Sequence, residues 1–298
     1  LRTLSIEDSP NYEEKLKWTC QNIQLGLEKL LTALFDFPSI QFGLEQAFLS
    51  LQSHSPFELF PSKFTKGKQS IPINGLVWMG DKEFMKTQIK EKLAGGFSCI
   101  KMKIGAIDFE TEIDLLTSIR KEFSSNEIEL RVDANGGFTP KNALEKLKRL
   151  SELEIHSIEQ PIRQGQFEEM AVLCENTPLP IALDEELIGV FSVTKKQEIL
   201  QMIQPQYIIL KPSLVGGFKG SDEWIGIANH LSIGWWITSA LESNVGLNAI
   251  AQWTFTLNNQ MPQGLGTGGL YTNNFESPLE IYKGRLQYNN SKKWNFNL

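Results

Sequence analysis

Five charged residues stand near the ends of five short apolar segments: Lys103, Asp133, Glu159, Asp184 and Lys211, spaced 30, 26, 25 and 27 residues apart. The segments are Cys99-Ile100-Lys101-Met102-Lys103-Ile104, Glu129–Asp133, Ile155–Glu159, Pro180–Asp184 and Tyr207–Lys211. Three carboxylates gathered with lysines repel one another unless a cation lies among them. Hard oxygen donors with no His or Cys at these strand ends suit Mg²⁺, with Mn²⁺ as a substitute, better than zinc. A divalent cation beside lysines suits proton abstraction next to a carboxylate, because it stabilises the enediolate left when the α-proton departs. A lysine can be the base only if its pKa falls toward working pH, which a cation, a second lysine and desolvation all promote.

That convergence requires the five segments to be parallel strands with their carboxyl ends at one mouth. The interval is the length of a strand, a helix and two loops, and the predicted fold is α/β: a (β/α)8-type barrel, whose active site lies at the carboxyl ends of the strands. Side chains alternate faces along a strand, so Lys101 joins Lys103, Arg131 joins Asp133, Ser157 joins Glu159 and Ile209 joins Lys211 on the inner face. Val132, Ile158 and Leu210 then face an outer ring of helices. Helices are predicted over 108–123, with Ile113, Leu116 and Ile119 in phase, and over 141–150, opened by Thr139 as cap and Pro140 at the first helical position. Ile71–Met79 reads as the first strand, and 235–239 with 263–266 as the last two. An open doubly wound sheet is the competing architecture, but no GxGxxG follows a first strand.

Residues 1–70 divide into a helical region over 12–51, interrupted at Pro38, and a polar stretch over 53–70. The predicted domains are 1–70 as part of an N-terminal cap, 71–275 as the barrel, and 276–298 as a segment returning to the cap. Leu1 is not an initiator methionine and no signal-peptide pattern follows it.

With 41% hydrophobic residues the 298-residue chain can bury a large core. A net charge of −6 and a pI near 5.3 disfavour a nucleic-acid partner. No apolar run approaches the roughly 18 residues of a membrane span. Three widely separated cysteines, Cys20, Cys99 and Cys174, read as reduced thiols in a cytoplasmic protein. The partner is therefore expected to be a small-molecule carboxylate; the oligomeric state is left open.

Lys101-Met102-Lys103, Arg131-Val132-Asp133-Ala134-Asn135-Gly136, Ile158-Glu159-Gln160-Pro161, Leu183-Asp184-Glu185 and Leu210-Lys211-Pro212-Ser213 resemble the enolase superfamily, more closely its muconate-lactonizing subgroup, and within that the o-succinylbenzoate synthases. Thr238–Gly246 and Gly264-Leu265-Gly266-Thr267-Gly268 are similar to synthase segments specifically, and the likeness runs over about residues 10–275. The resemblance implies a modified (β/α)7β barrel with an α+β cap, whose strands and lid are expected before Leu1. It implies Asp133, Glu159 and Asp184 as Mg²⁺ ligands, Lys103 as base and then acid, Lys211 as electrostatic partner across the pocket, and Lys101 beside Lys103. The implied reaction is that of a carbon–oxygen lyase of menaquinone biosynthesis, dehydrating 2-succinyl-6-hydroxy-2,4-cyclohexadiene-1-carboxylate to 2-succinylbenzoate.

Other residues carry two readings each. Arg131 either pairs with a neighbouring carboxylate or touches substrate. Ser239 either donates to a substrate carboxylate or caps the following loop. Gly264 and Gly266 are expected to let backbone amides approach an anionic group. Glu185 and Glu186 belong to the loop after Pro180–Asp184, the fifth strand counted from Ile71–Met79, where an ion pair with Lys101 or Lys211 is open to them. His156, opposite in parity to Glu159, is expected to face a helix, and none of the three histidines reads as catalytic. Trp235, Trp236 and Trp253 read as core. The nearest alternative activity is N-acylamino acid racemisation, which needs both Lys103 and Lys211 as bases. A barrel that only binds is the alternative from another class.

Overall fold

The computed structural model describes residues 5–296. The helical region comprises α1 (Tyr12–Gln21), α2 (Leu27–Ala33) and α3 (Pro38–Gln52). Pro38 begins α3 at the one position where a missing N–H costs the helix nothing. Leu30, Leu34, Ile40 and Leu44 form a small core of their own.

The chain then enters β1 (Ile71–Pro72) and β2 (Gly75–Val77), so the segment expected as one strand is two. Alternation follows: α4 (Lys82–Ala94), β3 (Cys99–Lys103), α5 (Phe109–Glu122), β4 (Glu129–Asp133), α6 (Pro140–Ser151), β5 (Ser157–Glu159), α7 (Phe167–Asn176), β6 (Ile181–Leu183), α8 (Val193–Ile203) and β7 (Tyr207–Leu210). After β7 come α9 (Pro212–Val215), α10 (Gly217–His230), β8 (Gly234–Ile237) and α11 (Asn244–Thr256). Local chemistry starts the helices. Asp81 accepts from Phe84 N and Asp108 from Thr111 N, and Thr139 with Asn142 closes a capping box on α6.

Strands β2 to β8 form one parallel sheet in sequence order. Its eighth member is reduced to Gln263 and Gly264, which close the barrel by isolated bridges to Ile73 and Thr238. Gln263 N donates to Pro72 O (2.8 Å) and Asn74 N to Gln263 O (3.0 Å), while Gly264 N donates to Ile237 O (2.8 Å) and Ser239 N to Gly264 O (3.1 Å). Pro262, Gly264 and Gly266 around it explain why no longer strand forms. Val132, Ile158 and Leu210 are fully buried in the main core, as their outward parity requires.

The C-terminal segment forms β9 (Leu279–Tyr282) and β10 (Arg285–Tyr288), and β10 pairs antiparallel with β1. Beyond it, Trp294 stacks on Phe57 at 4.6 Å between ring centroids. The segment thus lies against 57–72. Helix α3 packs on α9 and α10, the two helices that follow Lys211.

Candidate active site

Register sets the charges at common depths. Lys101 is level with Arg131, and Arg131 with Ser157; one pleat higher, Lys103 is level with Asp133, and Asp133 with Glu159. The upper row, with Lys101, opens into a cavity of ≈ 150 Å³. Lys103, Asp133, Asn135, Glu159, Glu185 and Lys211 form its charged and polar floor. Leu76, Trp78, Leu214 and Leu241 give it apolar walls, and Thr238, Ser239, Gly264, Gly266 and Thr267 form the remaining arc. Asp184, 1% exposed, lies under Lys211 and is bonded to it.

The ions compensate one another. Lys101 Nζ donates to Glu159 Oε2 at 2.5 Å and to Asp133 Oδ2 at 3.3 Å. Lys103 Nζ donates to Asp133 Oδ2 at 2.8 Å and to Asn135 Oδ1 at 2.6 Å. Burial alone would depress the Lys101 and Lys211 ammoniums, but the adjacent carboxylates outweigh it and hold both above their ordinary range. Burial likewise works against the Asp133 carboxylate, yet Lys101 and Lys103 keep it well below its usual value. Glu159 is raised, first by burial and then by Asp133, and burial also raises Asp184.

Among the described residues no three His, Cys, Asp or Glu side chains stand together as a metal centre, and ammonium groups bond the carboxylates. The donor chemistry nevertheless fits a hard divalent cation. Glu159 Oε1 is buried without a hydrogen-bond partner, and Glu159 feels both Asp133 and Asp184 as repelling neighbours. Oxygen donors of this kind, with water completing the shell, are what Mg²⁺ takes.

Several expectations are corrected. Arg131 lies one layer below the cavity and does not line it. Its guanidinium pairs with Glu129 (2.7 Å), donates to Pro262 O (2.9 Å) and stacks over Trp236 at 4.2 Å, which is the structural pairing rather than a place on the cavity wall. Ser239 lines the cavity, but its Oγ is engaged with Thr267 Oγ1 at 2.5 Å. Along the cavity wall, Thr238 has a buried hydroxyl without a partner, a residue that sequence reading passed over although it shares the inner face with Trp236. Gly264 is glycine for closure: its N–H is used by Ile237 O, and a Cβ would sit 2.2 Å from Thr238 Oγ1. At Gly266 a Cβ would make only ordinary contacts at 3.6 Å. His156 faces no helix. Its ring lies on Tyr207 and beside Trp236 at the barrel floor, because regular β5 starts only at Ser157 and parity does not reach back to it.

Asn135, Trp78 and Glu185 also belong to the site. Asn135 joins Lys103 to Glu185, donating from Nδ2 to Glu185 Oε1 at 2.8 Å. Neither Glu185 nor Glu186 forms an ion pair with a site lysine among the described residues; Glu186 instead accepts from Gly165 N and Gln160 Nε2.

A family described as enolase C-terminal domain-like matches residues 85–292. A protein of Desulfotalea psychrophila named o-succinylbenzoate synthase is 58% identical over 250 residues, covering 84% of this chain and 68% of that one. The crystal structure of MenC from Desulfotalea psychrophila LSv54 superposes with a TM-score of 0.85 at 46% identity, covering 95% of this chain and 87% of the other. The L-Ala-D/L-Glu epimerase of Bacillus subtilis is 26% identical over 215 residues, covering 70% of this chain and 55% of its own length.

Proposed function

The chain belongs to the enolase superfamily and, within it, to the o-succinylbenzoate synthases, and from that premise we propose that it is the Mg²⁺-dependent dehydratase of menaquinone biosynthesis, forming 2-succinylbenzoate from 2-succinyl-6-hydroxy-2,4-cyclohexadiene-1-carboxylate in the cytoplasm. The observation that carries the reading is the cavity itself, where Lys103 and Lys211 from β3 and the end of β7 line one small space above three buried carboxylates. Enzymes of this superfamily are generally dependent on a divalent metal. Asp133, Glu159 and Asp184 are the residues that would hold it, and when bound it supplies positive charge to the carboxylate of the substrate.

The residues divide the remaining work. Lys103, as the neutral amine, takes the proton on the carbon next to the substrate carboxylate, and the electron pair moves into an enediolate. Lys211 and Lys101 stand as fixed cations near the developing charge, where preorganised charge in a dry site stabilises most. The C–O bond to the ring hydroxyl then breaks. The ammonium of Lys103 returns its proton to the departing oxygen, so that one water leaves and Lys103 is neutral again. Aromatisation of the ring drives the second half. Trp78, whose ring centroid is 5.9 Å from Lys103 Nζ, and Leu76 exclude bulk water from the base.

The test separates the two lysines. Lys103→Ala is expected to abolish 2-succinylbenzoate formation, since a general base contributes ~10²–10⁴-fold and this one also acts as the acid. Lys211→Arg keeps the charge but not a base that titrates. It should retain measurable dehydration while racemisation and α-proton exchange of N-succinylamino acids in D₂O collapse. Active Lys103→Ala with inactive Lys211→Arg would reverse the assignment.

A further inference from the structure

Gln160 follows Glu159 directly, is 0% exposed, and lies outside the catalytic cavity. Its amide uses its full bonding capacity. Oε1 accepts from Asp184 N (3.2 Å) and Glu186 N (3.3 Å), while Nε2 donates to Ile162 O (3.0 Å) and Glu186 Oε2 (3.0 Å). Two acceptor sites and two donors are all that a carboxamide has. The two backbone N–H groups fix which end is oxygen, because a flipped amide would set NH₂ against N–H.

The main chain of the same residue continues the pattern. Gln160 N donates to Ala182 O (2.9 Å), and Gln160 O accepts from Gly136 N (2.7 Å). Through these bonds one residue touches the loop after Asp133, adjoins Glu159, and grips the backbone of Asp184. It does so at φ 38°, a left-handed conformation that disfavours side chains other than glycine. The partner of the Asp184 N–H is Gln160 Oε1, and Asp184 itself is 1% exposed. Glu186 is held in turn by Gly165 N at 2.6 Å, so the amide is braced from both sides.

We infer that Gln160 is a positioning residue that holds the Asp184 strand end in register with Glu159 and Asp133, and so sets the affinity of the site for its divalent cation. This rests on the reading of those three carboxylates as cation ligands. Residues that orient ligands without touching the metal change affinity by about 10–100-fold when replaced. Carboxylates on three separate strands lose chelation once one of them drifts.

The experiment measures Mg²⁺ binding directly by isothermal titration calorimetry on the full chain, without turnover. Gln160→Met keeps length and removes all four bonds; its Kd for Mg²⁺ should rise 10–100-fold, with kcat recovering substantially at saturating Mg²⁺. Leu150→Ala, a buried substitution in α6 remote from the site, should lower stability and leave Kd unchanged. An exchanged pair guards against misfolding of Gln160→Met. Gln160→Glu alone sets two carboxylates together, whereas Gln160→Glu with Glu186→Gln restores a donor facing an acceptor between the two side chains while leaving Ile162 O without its donor, and should recover part of the lost affinity. Wild-type protein that takes up no Mg²⁺ would sink the cation reading itself. Wild-type binding with an unchanged Kd in Gln160→Met, or no recovery in the exchanged pair, would overturn the role of Gln160.

Discussion

Replacing Lys101 by Met removes the ammonium that two buried carboxylates share. Lys101 is 6% exposed, and its partners Asp133 and Glu159 are 1% and 2% exposed, so the pairing is a buried one. Removing one member of a buried pair leaves an uncompensated charge and costs about 3–5 kcal/mol. At roughly 2–4 °C per kcal/mol for a large domain, that is a fall in Tm of about 6–20 °C in the absence of divalent cation. Mg²⁺ should compensate. Wild-type protein at 100 times Kd gains about 2.7 kcal/mol by mass action, and Lys101→Met should gain more, because the cation then relieves the repulsion that the ammonium had relieved. The assay is thermal unfolding followed by circular dichroism, with EDTA and at increasing Mg²⁺, on both proteins. Equal Mg²⁺ stabilisation in the two would refute a shared role of lysine and cation at the same carboxylates. A variant as stable as wild type in EDTA would refute the compensation argument altogether.

Two further outcomes are expected. Asp133→Asn and Glu159→Gln should each weaken Mg²⁺ binding and depress dehydration together, measured by calorimetry and by absorbance of the product; full activity of either at limiting Mg²⁺ would contradict the ligand set. Glu45, on α3, accepts from Phe218 N and Lys219 N at the start of α10, and burial raises it from 4.5 to about 7. A folded pKa above the unfolded one means stability that is fully present below pH 4.5 and lost as pH rises through about 7. The stability advantage of wild type over Glu45→Gln in urea denaturation should therefore shrink by up to about 3 kcal/mol across that window, and a constant difference would count against it.

The barrel was legible because each strand end carries a charge on an apolar run, so strand, inner face and mouth are written in the same residues. Parity correctly sent Lys101, Lys103, Asp133 and Glu159 inward and Val132, Ile158 and Leu210 outward. Parity gives direction without depth, which is why Arg131 read as a site residue: it shares a face with Asp133, and its partners Trp236 and Pro262 are over a hundred residues away in the chain. It also fails where a strand stops, as at His156. The eighth strand and the break between β1 and β2 depend on closure, in which Gln263 bonds Pro72 and Asn74 through its backbone while its side chain accepts from Ile237 N. Gln160 and Glu186 carry no local signal, since a polar residue in a loop acquires its meaning only from the strand ends that come to meet it.

Charge in the cavity suggests why the reaction needs so many ionised groups on a rigid frame. Asp133, Glu159, Asp184 and Glu185 face Lys101, Lys103 and Lys211, so that with all seven ionised the site is one unit negative. A divalent cation turns it one unit positive, and only then does a dicarboxylate substrate enter a field that attracts it. With Lys103 neutral, as the proposed base requires, the same sum with the cation bound is zero rather than two units negative. In a flexible loop seven such groups would pair off and screen one another. On strand ends held by the register of Lys103 with Asp133 and of Asp133 with Glu159 their pairing is fixed in one arrangement, so the field keeps one direction.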